Sequence, residues 1–554
     1  RRPASDTLGD LLDELAERHP EKQAIIFGGH RITYKALKDQ ADILGRSLIN
    51  LGVKPGDRVA LLAPNRPEWI IAAFAIAKLG AITAAISTFS TPTELSWTLK
   101  NCGAVALITV PLFKGNEFLK TIINLSQKDS KGDANNLNID SLPQLKLVIS
   151  LDNPTENYAI GWDDCIRYSR SISMSELQER QNNVSKEDLC YILYTSGSTA
   201  EPKGVTLAHG NVIANGYDIG KRQNLTDQDI LWFAIPLFWS FGSANALPAI
   251  MTHGGSMVLQ ESFEPTAAIE LIEKERCTVF YGMVNMARSI RESDGWSLEK
   301  LKSMRTGLTI GLPEDIQMII DTMSTSELCN VYGSTETYGN ASVCSSTDAL
   351  DLRLNSQGLP LPGMRIRTVD PETRVPLPLG EVGEITVAGY VTPGYFNAPQ
   401  LTAQTFDKDG YFLTGDLGSI GQDGRVYFKG RLKEIIKTGG VNVSPLEVEG
   451  VIVQHPNVKQ AFVIGVPDKQ KTEAVTAVIE LNTNKKLDAP EIIDFCRKKL
   501  ASYKVPSSLY IRSNDELPRT ATGKINKPAL RQEIIIELSK KHPLLSNFGK
   551  PANF

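Results

Sequence analysis

An apolar strand that runs into a cluster of hydroxyl side chains is the feature that most constrains the fold of this chain. Leu189 to Tyr194 have the length and composition of a buried strand, and Val205 to Leu207 have those of a second strand. Lys203 precedes the second strand, and the segment after the first strand opens with Thr195, Ser196, Gly197, Ser198 and Thr199. Hydroxyls, backbone amides and an ammonium group all donate to anionic oxygen. The pattern therefore predicts a loop that binds a polyphosphate.

Two alternatives compete with this interpretation. A run of serine and glycine is also typical of a hydroxyl-rich turn that binds no ligand. A P-loop binds phosphate too, but it needs a lysine directly after a glycine and at the start of a helix. Here Lys203 precedes Gly204, and a strand rather than a helix follows. The segment is therefore predicted to be a phosphate loop of another kind.

The longer segment from Tyr191 to Gly210 resembles the signature of the adenylate-forming superfamily, which includes acyl- and aryl-CoA synthetases, peptide-synthetase adenylation domains and beetle luciferases. The resemblance assigns the hydroxyl run and Lys203 to phosphate binding, and Thr195 to catalysis as well. Further segments resemble the motifs of the superfamily in the expected order, and they are Asn330 to Thr337, Tyr411 to Asp416, Gly430 to Asn442 and Leu517 to Ile525. The resemblance covers almost the whole chain. It implies ATP, Mg²⁺ and coenzyme A, or the phosphopantetheine of a carrier protein, as cofactors.

The same resemblance assigns the second of these motifs to the nucleotide. Tyr332 stacks on adenine, Thr335 bonds the α-phosphate, and Glu336 helps to hold Mg²⁺ and counts as catalytic. An aromatic face, a hydroxyl and a hard carboxylate oxygen suit these three groups. Gly333 lies between them, and Gly311 lies in the segment that matches the adenine loop of the family. Alone, the motif is typical of a glycine turn, and its order in the chain favours the nucleotide site.

Two later motifs resemble the ribose and lysine sites of the superfamily. Asp416 corresponds to the carboxylate that accepts both ribose hydroxyls, and Arg431 approaches the same ribose. Lys524 corresponds to the catalytic lysine that meets the substrate carboxylate and the α-phosphate of ATP during adenylation. A surface turn at Asp416 and a solvated lysine at Lys524 are the alternatives, and the order of the motifs favours the functional assignment.

The resemblance also assigns residues to a domain rotation and to the entry path of the thiol. By the resemblance, Lys433 is the hinge about which the C-terminal domain rotates. Lys437, counted as catalytic, and the Gly439-Gly440 turn line the path of the thiol after the rotation. Two half-reactions at one site need different groups, and a domain rotation supplies them.

The acid is predicted from the residues around an unusual tryptophan. Trp239 stands where members of the family carry a histidine, and no Asp or Glu lies between Leu231 and Gln260. An amino-acid substrate is therefore disfavoured, because its buried ammonium group would stay unpaired. The side chains predicted to form an apolar acyl or aryl pocket are Trp239, Phe241, Tyr281, Met283 and Tyr338. Plain core packing is the alternative for this set.

Composition narrows the class of protein further. With 554 residues, 22% of them charged and 42% hydrophobic, the chain is predicted to be an ordinary globular protein of more than one domain. A net charge of −4 without a long basic run disfavours nucleic acid as a partner. Seven scattered cysteines disfavour a disulfide framework and favour the cytoplasm. No secretory signal opens the chain, and its most apolar stretch, Ile70 to Ile86, contains a lysine and is too short to predict a transmembrane segment.

Helix and strand patterns alternate from residue 8 to about 330 and predict an α/β fold. Short β-rich pieces from about 355 predict a small β subdomain. The predicted organisation is a large N-terminal AMP-binding and acyl-binding domain of α/β subdomains, residues 1–430, and a small mobile α+β C-terminal domain, residues 431–554. Ser444 to Glu447 predicts a capping box at a helix start. The polar stretch from Gln127 to Ser141 predicts a mobile surface loop.

These features together predict a ligase of the kind used in fatty acid metabolism. It would activate a carboxylic acid with ATP to an acyl-adenylate, release pyrophosphate, and pass the acyl group to the thiol of coenzyme A. Two alternatives stay open, namely an acyl-AMP ligase that loads an acyl-carrier protein, and a non-catalytic nucleotide-binding relative. Degeneration should first remove Lys524, Glu336 or Asp416, and all three are present.

Overall fold

The structure is a computed structural model that describes residues 2–125, 132–134, 136–154, 157–195, 201–439, 441–468, 471–483, 485, 488–520 and 524–541. The chain divides into two compact units. The first comprises Arg1–Ile366 and Val387–Phe412, and the second comprises Arg367–Thr386 and Leu413–Phe554. The large and small α/β parts confirm the predicted fold class. The domain boundary at residues 430 and 431 stays a prediction.

The first unit alternates helices and strands along most of its length. Its helices are α1 Leu8–Arg18, α2 Tyr34–Asn50, α3 Pro67–Lys78, α4 Pro92–Cys102, α5 Phe118–Asn124, α6 Trp162–Arg167, α7 Met174–Asn182, α8 His209–Arg222, α9 Leu247–Thr252, α10 Pro265–Glu275, α11 Val284–Glu292, α12 Leu298–Leu301, α13 Pro313–Met323, α14 Leu350–Asn355 and α15 Pro399–Gln404. Its strands are β1 Gln23–Phe27, β2 His30–Thr33, β3 Arg58–Leu62, β4 Ile82–Ala85, β5 Ala106–Thr109, β6 Leu112–Phe113, β7 Asn116–Glu117, β8 Gly132–Asp133, β9 Asn136–Leu137, β10 Leu147–Ser150, β11 Ile160–Gly161, β12 Leu189–Thr195, β13 Lys203–Ala208, β14 Ile230–Phe233, β15 Ser256–Leu259, β16 Val279–Tyr281, β17 Thr306–Thr309, β18 Glu327–Tyr332, β19 Ser342–Val343 and β20 Leu359–Pro360.

Two largely parallel sheets organise the first unit. One sheet has the order β2-β1-β15-β14-β16-β17-β18-β19-β20, and its strands from β1 to β18 run parallel. The other has the order β11-β10-β5-β3-β4-β12-β13, and β13 runs antiparallel to β12 at its edge. Most of the central strands, β14 among them, are buried on both faces, as helices that cover a parallel sheet require.

Helix boundaries in the first unit follow from local chemistry. In α1 the side chains of Leu8, Leu11, Leu12 and Leu15 are all buried, which is the spacing of one helical face. Helix α4 begins with a capping box, in which Thr91 and Glu94 each bond the backbone amide of the other. Helix α3 begins with a proline, whose missing N–H costs nothing at that position.

The second unit is smaller and contains more β structure. Elements that lie wholly or mostly in it are strands β21 Arg365–Val369, β22 Gly383–Ala388, β23 Phe412–Ile420, β24 Val426–Arg431, β25 Ile436–Thr438, β26 Val441–Val443, β27 Val458–Asp468, β28 Thr472–Leu481 and β29 Ser508–Ile511, and helices α16 Pro445–Ile452, α17 Ala489–Arg497 and α18 Lys527–Lys541. Strands β21 to β24 form a four-stranded sheet in chain order, and the order β26-β25-β28-β27, with β29 beside β28, forms the other.

Alternating side chains of β27 divide the core of the second unit between two faces. Val463 packs in the cluster that contains Val448 of α16 and Ile492 of α17. Ile464, the next residue, packs in the cluster that contains Leu530 of α18. Successive strand residues point to opposite faces, so one long strand holds helices on both sides of the sheet.

One local expectation from the sequence, the capping box at Ser444, is wrong. Helix α16 begins after Ser444 with a proline, but the Ser444 hydroxyl does not cap the helix and donates instead to the Lys429 carbonyl oxygen. Glu447 is bound to Lys504, so neither half of the capping box forms. Of the stretch from Gln127 to Ser141, residues 127–131 and 135 lie outside the described residues, and the mobile loop there stays a prediction. Among the described residues of this stretch, Leu137 and Ile139 are buried, and the backbone pairs β8 with β9.

None of the helices in the described part of the chain combines the length and the apolar character that crossing a membrane requires. All seven cysteines are buried thiols. Burial raises the pKa of Cys102 to about 12 and that of Cys496 to about 11, so these thiols stay protonated and unreactive at neutral pH.

Candidate active site

Four predicted site segments meet at one edge of the larger sheet. The carboxyl ends of β14, β16, β17 and β18 lie side by side because these strands are parallel neighbours. The predicted residues at or just beyond this edge are Trp239, Phe241, Tyr281, Met283, Gly311, Tyr332, Gly333, Thr335 and Glu336. Ligands of open α/β sheets bind outside the carboxyl ends of the strands, so the fold gathers this set where a ligand is expected.

The residues on either side of the hydroxyl-rich segment lie at the paired ends of two strands. Thr195, the last residue of β12, pairs directly with Lys203, the first residue of β13. Both side chains are partly exposed. The predicted phosphate ligands Ser196, Gly197, Ser198 and Thr199 lie outside the described residues. The structure thus places the two ends of the loop together, as the sequence predicts.

A buried polar residue connects the two sheets at their carboxyl edges. Asn65, which follows β3, donates from Nδ2 to the carbonyl oxygens of Ile235 (2.9 Å) and Gln260 (3.2 Å). Its Oδ1 accepts from the backbone amide of Leu237 at 2.8 Å. Two of these three hydrogen bonds therefore fix the segment that leads to Trp239, and the third fixes the chain just after β15. Sequence analysis missed Asn65, although a polar residue soon after a buried strand is a signal for such a role.

A segment of the first unit that the motifs do not include packs against β13. Thr206 donates its hydroxyl to the Gly394 carbonyl oxygen at 2.7 Å, and the Phe396 amide donates to the Gly204 carbonyl oxygen at 2.8 Å. The Thr392 amide donates to the backbone carbonyl oxygen of Glu336 at 2.7 Å. Residues 392–396 therefore join the phosphate hairpin to the second nucleotide motif.

The same segment holds the predicted metal ligand. The hydroxyl of Tyr395 donates to Oε1 of Glu336 at 2.8 Å. Burial, together with the negative charge of Glu336, raises the pKa of Tyr395 far above its usual value, so the phenol stays a donor. Lys203 Nζ lies 5.7 Å from the centre of the Tyr395 ring. Sequence analysis missed Tyr395 because it lies 59 residues away from Glu336 and outside every motif.

Backbone packing at the second motif explains its glycine. A Cβ atom on Gly333 would lie 2.3 Å from the Gly339 carbonyl oxygen, so no larger residue fits there. The Thr335 hydroxyl donates to the hydroxyl of Ser240 at 2.9 Å, which ties the motif to the segment after β14. Tyr332 is buried at the end of β18, and Gly311 is partly exposed after β17.

The predicted acyl residues divide into two groups. Trp239 is partly exposed, and its ring lies 5.9 Å from that of Phe238 and 6.4 Å from that of Phe89. Phe241 opens a π-helical segment, Phe241–Ala246, and its ring lies 5.1 Å from that of Tyr281. Single π-turns are frequent at functional sites, because they re-aim side chains of an otherwise regular helix.

The other three predicted acyl residues differ in exposure. Tyr281 and Tyr338 are fully buried, so they form a floor behind the surface and do not lie on it. Tyr338 accepts a hydrogen bond from the Ala208 amide at 3.0 Å, which fixes it against β13. Met283, partly exposed, precedes α11. The pocket itself stays a prediction.

In the second unit, the predicted ribose pair lies on neighbouring strands. Asp416 of β23 stands directly opposite Arg431 of β24, and Arg431 Nε lies 3.6 Å from Asp416 Oδ1. Asp416 is mostly buried, whereas 68% of the Arg431 side chain is exposed. The carboxylate is thus fixed by the sheet and the guanidinium extends from it.

The remaining predicted residues of the second unit that the structure describes are exposed. Lys433 lies in the 3₁₀ turn Leu432–Glu434, and Lys437 lies in β25 with an exposed side chain. Gly439 adopts a φ of 56°, which favours glycine, and its amide donates to the Lys471 carbonyl oxygen at 2.8 Å. Gly440 lies outside the described residues. Lys524 is exposed just before α18.

An ion triad that sequence analysis missed lies beside the predicted hinge. Lys527 Nζ lies 2.7 Å from Glu449 Oε1 and 3.3 Å from Glu434 Oε2, so it joins α18 to α16 and to the 3₁₀ turn. Burial opposes the charge of Lys527, but Glu449 and Glu434 outweigh it and raise the pKa of the lysine. The turn that contains Lys433 is therefore held to helices of the same unit by ion pairs with a protonated Lys527.

The side chains at the site fit a magnesium ion whose ligands come mainly from the phosphates of the nucleotide. Glu336 is partly exposed, and its Oε1 is oriented by Tyr395. Within the described ranges, no group of three or more His, Cys, Asp or Glu side chains is arranged to hold a metal by itself. Magnesium is often bound by one or two carboxylates and the phosphates of a nucleotide, and one well-placed carboxylate meets that need.

Comparison with known proteins agrees with the geometry. The family model described as AMP-binding enzyme matches residues 12–396, and the model described as AMP-binding enzyme C-terminal domain matches residues 447–524. YngI of Bacillus subtilis (strain 168), provisionally described as an acyl-CoA synthetase, is 32% identical over 96% of this chain and 97% of its own length. The mitochondrial medium-chain acyl-CoA ligase ACSF2 of Mus musculus is 31% identical over 95% of this chain and 87% of its own.

A solved structure extends the comparison to the fold. The anthranilate CoA ligase AuaEII, in complex with anthranoyl-AMP, superposes with a TM-score of 0.84 and 26% identity. The match covers 97% of this chain and 99% of that one. Both units of the present chain are therefore included in the likeness.

Proposed function

This chain belongs to the family of AMP-binding enzymes, and we propose that it is an AMP-forming acid–thiol ligase. It activates a carboxylic acid with ATP to an acyl-adenylate, releases pyrophosphate, and transfers the acyl group to the thiol of coenzyme A. The observation that carries this proposal is the hydrogen bond from Tyr395 to Glu336, beside the hairpin that ends in Thr195 and Lys203. An oriented carboxylate, a hydroxyl and an ammonium group, joined through residues 392–396, suit a magnesium–triphosphate.

The first half-reaction explains why these residue types are needed. The substrate carboxylate attacks the α-phosphorus of ATP, a new C–O–P linkage forms, and the bond to pyrophosphate breaks. Two anions approach each other, so donors and cations must neutralise the charge that develops. The hydroxyl run donates to phosphate oxygens, Thr335 turns its hydroxyl hydrogen from Ser240 to the α-phosphate, and Lys524 approaches the carboxylate. A Mg²⁺ ion held by Glu336 would supply further charge neutralisation at the phosphates.

The second half-reaction uses residues of the second unit. The thiol attacks the acyl carbonyl carbon, a thioester forms, and AMP leaves with the electron pair of the C–O bond. Asp416 and Arg431 hold the ribose of that leaving group. Lys437 and the turn at Gly439 line the approach of the thiol, and a rotation about Lys433 exchanges the groups between the two steps.

The acid is proposed to carry an apolar acyl or aryl group. Trp239, Phe241 and Met283 lie at the sheet edge beside the nucleotide motifs, and Tyr281 and Tyr338 lie behind them. ACSF2 is described as acting on medium-chain acids and AuaEII on anthranilate, and both agree with an apolar or aromatic acyl group. The absence of acidic side chains between Leu231 and Gln260 disfavours a substrate ammonium. A cytoplasmic location stays a prediction from cysteine usage.

The direct test is to identify the products. The purified chain is incubated with ATP, Mg²⁺, coenzyme A and a panel of straight-chain and aromatic acids, and acyl-CoA, AMP and ADP are quantified by mass spectrometry. We expect AMP and acyl-CoA in equal amounts with at least one acid. A parallel reaction replaces coenzyme A with a pantetheinylated carrier protein.

The outcomes separate the alternatives. If acyl-AMP forms but the acyl group is transferred only to the carrier protein, the acceptor is the carrier protein and not coenzyme A. Formation of ADP, or the absence of any acid-dependent product while ATP still binds, would contradict the proposal. The second of these results would indicate the non-catalytic relative, which binds a nucleotide without turning it over.

A further inference from the structure

A chain of buried hydrogen bonds ends in an unsatisfied donor behind the predicted acyl site. Gln223 Nε2 donates to the Tyr281 hydroxyl at 2.9 Å, and this hydroxyl donates to Asn245 Oδ1 at 3.1 Å. The three side chains are fully buried. Asn245 Nδ2 has no hydrogen-bond partner among the described residues. A buried N–H group without a partner is destabilising, so an acceptor oxygen of a bound molecule would stabilise this one.

The direction of the chain is fixed at its first residue. Gln223 Nε2 also contacts the Ile219 carbonyl oxygen, at 3.3 Å, and a carbonyl oxygen can only accept. The nitrogen of the Gln223 amide therefore faces both acceptors, and the Tyr281 hydroxyl must pass its own hydrogen on to Asn245. That leaves Nδ2, a donor, as the free end on the Asn245 side, while Gln223 Oε1, an acceptor, is also without a partner among the described residues.

The free donor lies beside the nucleotide motif and the acyl aromatics. Asn245 lies four residues after Phe241 in the π-helical segment, and both side chains contact Tyr281. On its other side, Asn245 Nδ2 lies 3.4 Å from where a Cβ atom on Gly339 would stand. Gly339 in turn packs against Gly333 of the nucleotide motif. Asn245 is therefore placed between the aromatic residues and the site of the adenylate.

A second buried donor occurs in the same region. Trp239 Nε1 is also buried and has no hydrogen-bond partner in the part of the chain that the structure describes. Trp239 stands two residues before Phe241, just ahead of the π-helical segment. An acyl site bounded by aromatic rings thus contains two N–H donors. An unsubstituted hydrocarbon chain would satisfy neither of them.

We propose that Asn245 recognises an oxygen acceptor on the acyl chain, so that the preferred substrate is a carboxylic acid bearing a hydroxyl or keto group. This inference rests on the proposed function, because it concerns the acid that is adenylated. The oxygen accepts from Nδ2 and completes the chain from Gln223 through Tyr281. A site built to bond an oxygen discriminates against an analogue that lacks it, since the buried donor is then left unpaired.

The test compares octanoic acid with its monohydroxy derivatives, with the hydroxyl at each successive carbon, by acid-dependent pyrophosphate exchange. For the wild type we expect at least one isomer to exceed octanoate about tenfold or more in kcat/KM. Asn245→Leu keeps the size of the side chain and removes the donor, so this ratio should fall close to unity. The KM for ATP should change little, because Asn245 is not a nucleotide ligand.

A matched control separates specificity from stability. Gln181 is another buried amide, and its Nε2 donates to Asp10 and Asp13 near α1, outside the carboxyl edges of the two sheets. Gln181→Leu should lower the melting temperature and leave the ratio unchanged. Should Asn245→Leu not fold, Tyr281→Phe removes the donor that orients Asn245 and should also reduce the ratio.

Two results would overturn the inference. One is that octanoate equals or exceeds every hydroxylated isomer in the wild type. The other is an unchanged ratio in a folded Asn245→Leu or Tyr281→Phe variant. Exchange with octanoate in either case would leave the proposed function intact, whereas a lack of exchange with every acid would contradict the proposed function itself.

Discussion

Among single residues, Tyr395 has the largest consequence for the proposed chemistry. Its hydroxyl holds one oxygen of Glu336, and its backbone neighbours tie the motif to the phosphate hairpin. A hydrogen bond to a charged group contributes about 1.5–3 kcal/mol. Glu336 without this bond would sample other rotamers, and its oxygen would meet a metal ion less often.

Tyr395→Phe should therefore reduce adenylation and raise the Mg²⁺ concentration that adenylation requires. We expect pyrophosphate exchange at limiting Mg²⁺ to fall about tenfold, with partial recovery at high Mg²⁺. The measurement is the exchange rate as a function of Mg²⁺ concentration. Tyr390→Phe, five residues earlier in the chain, is the matched control and should behave like the wild type. A Tyr395→Phe enzyme with unaltered Mg²⁺ dependence would remove Tyr395 from the site.

The environment of His209 predicts how the folding stability of the protein depends on pH. It begins α8, is fully buried, and accepts from the Leu8 amide through Nδ1 at 3.1 Å. Burial lowers its pKa to about 4 from an ordinary 6.5, although Asp188 and Asp10 oppose the shift. The unfolded chain therefore takes up a proton below about pH 6.5 while the folded chain does not. Stability should be lost as the pH falls from that value towards 4.

His209→Asn keeps an acceptor for Leu8 and cannot titrate. Its unfolding free energy should fall less steeply than that of the wild type below about pH 6, by about 1.4 kcal/mol per pH unit. Urea denaturation at several pH values provides the comparison. Parallel curves for the two proteins would show that His209 is not buried in its neutral form.

Helices and strands are predicted correctly from the sequence where neighbouring residues alone determine them. The apolar run of β12 and the strand β13 are predicted from neighbouring residues, and the structure pairs these two strands as expected. The capping box at Ser444 fails for a different reason. Its hydroxyl finds the Lys429 carbonyl oxygen, which comes from a preceding strand, and a local motif contains no information about that competitor.

Among the interactions that join whole elements, the ion triad at Lys527 has the largest predicted effect on stability. Lys527→Met leaves Glu449, which is only 5% exposed, without its cation. Removing one partner of a buried ion pair is strongly destabilising, and with Glu434 partly exposed we expect a loss of about 2 to 3 kcal/mol. Chemical denaturation, followed by a probe in the second unit, measures it.

Lys504 supplies the matched control in the same unit. It pairs with Glu447, whose side chain is 46% exposed, at 2.5 Å. Exposed pairs contribute about 0–1 kcal/mol, so Lys504→Met should have little effect. Similar losses in both variants would mean that removal of any lysine destabilises the unit and that the triad has no special role.

Across the whole molecule, the order of the motifs allows much of the site to be predicted. Segments that follow parallel strands gather at one edge, which places Thr335, Glu336 and Phe241 near one another without knowledge of contacts. The supporting residues are different. Asn65 bonds Leu237 across 172 positions of the chain, and no local pattern identifies such a pair. A single sequence, taken without its relatives, therefore predicts the reacting groups better than it predicts the residues that orient them.

Lys524 tests whether the two half-reactions use different groups. Lys524→Ala should abolish formation of the acyl-adenylate and leave thioester formation from synthetic acyl-AMP largely intact, because the lysine is assigned to the first step alone. Lys498→Ala, an exposed lysine of the same unit, should support both steps. Equal loss of both steps in Lys524→Ala would contradict the assignment of separate groups to the two steps.

The central claim is that this chain activates an acid at the α-phosphate of ATP. The most direct measurement is transfer of label from pyrophosphate into ATP in the absence of coenzyme A. The account predicts transfer that depends on the added carboxylic acid and on Mg²⁺, and that Glu336→Gln reduces strongly. Transfer that occurs without any acid, or cleavage of ATP to ADP when acid is added, would contradict the claim.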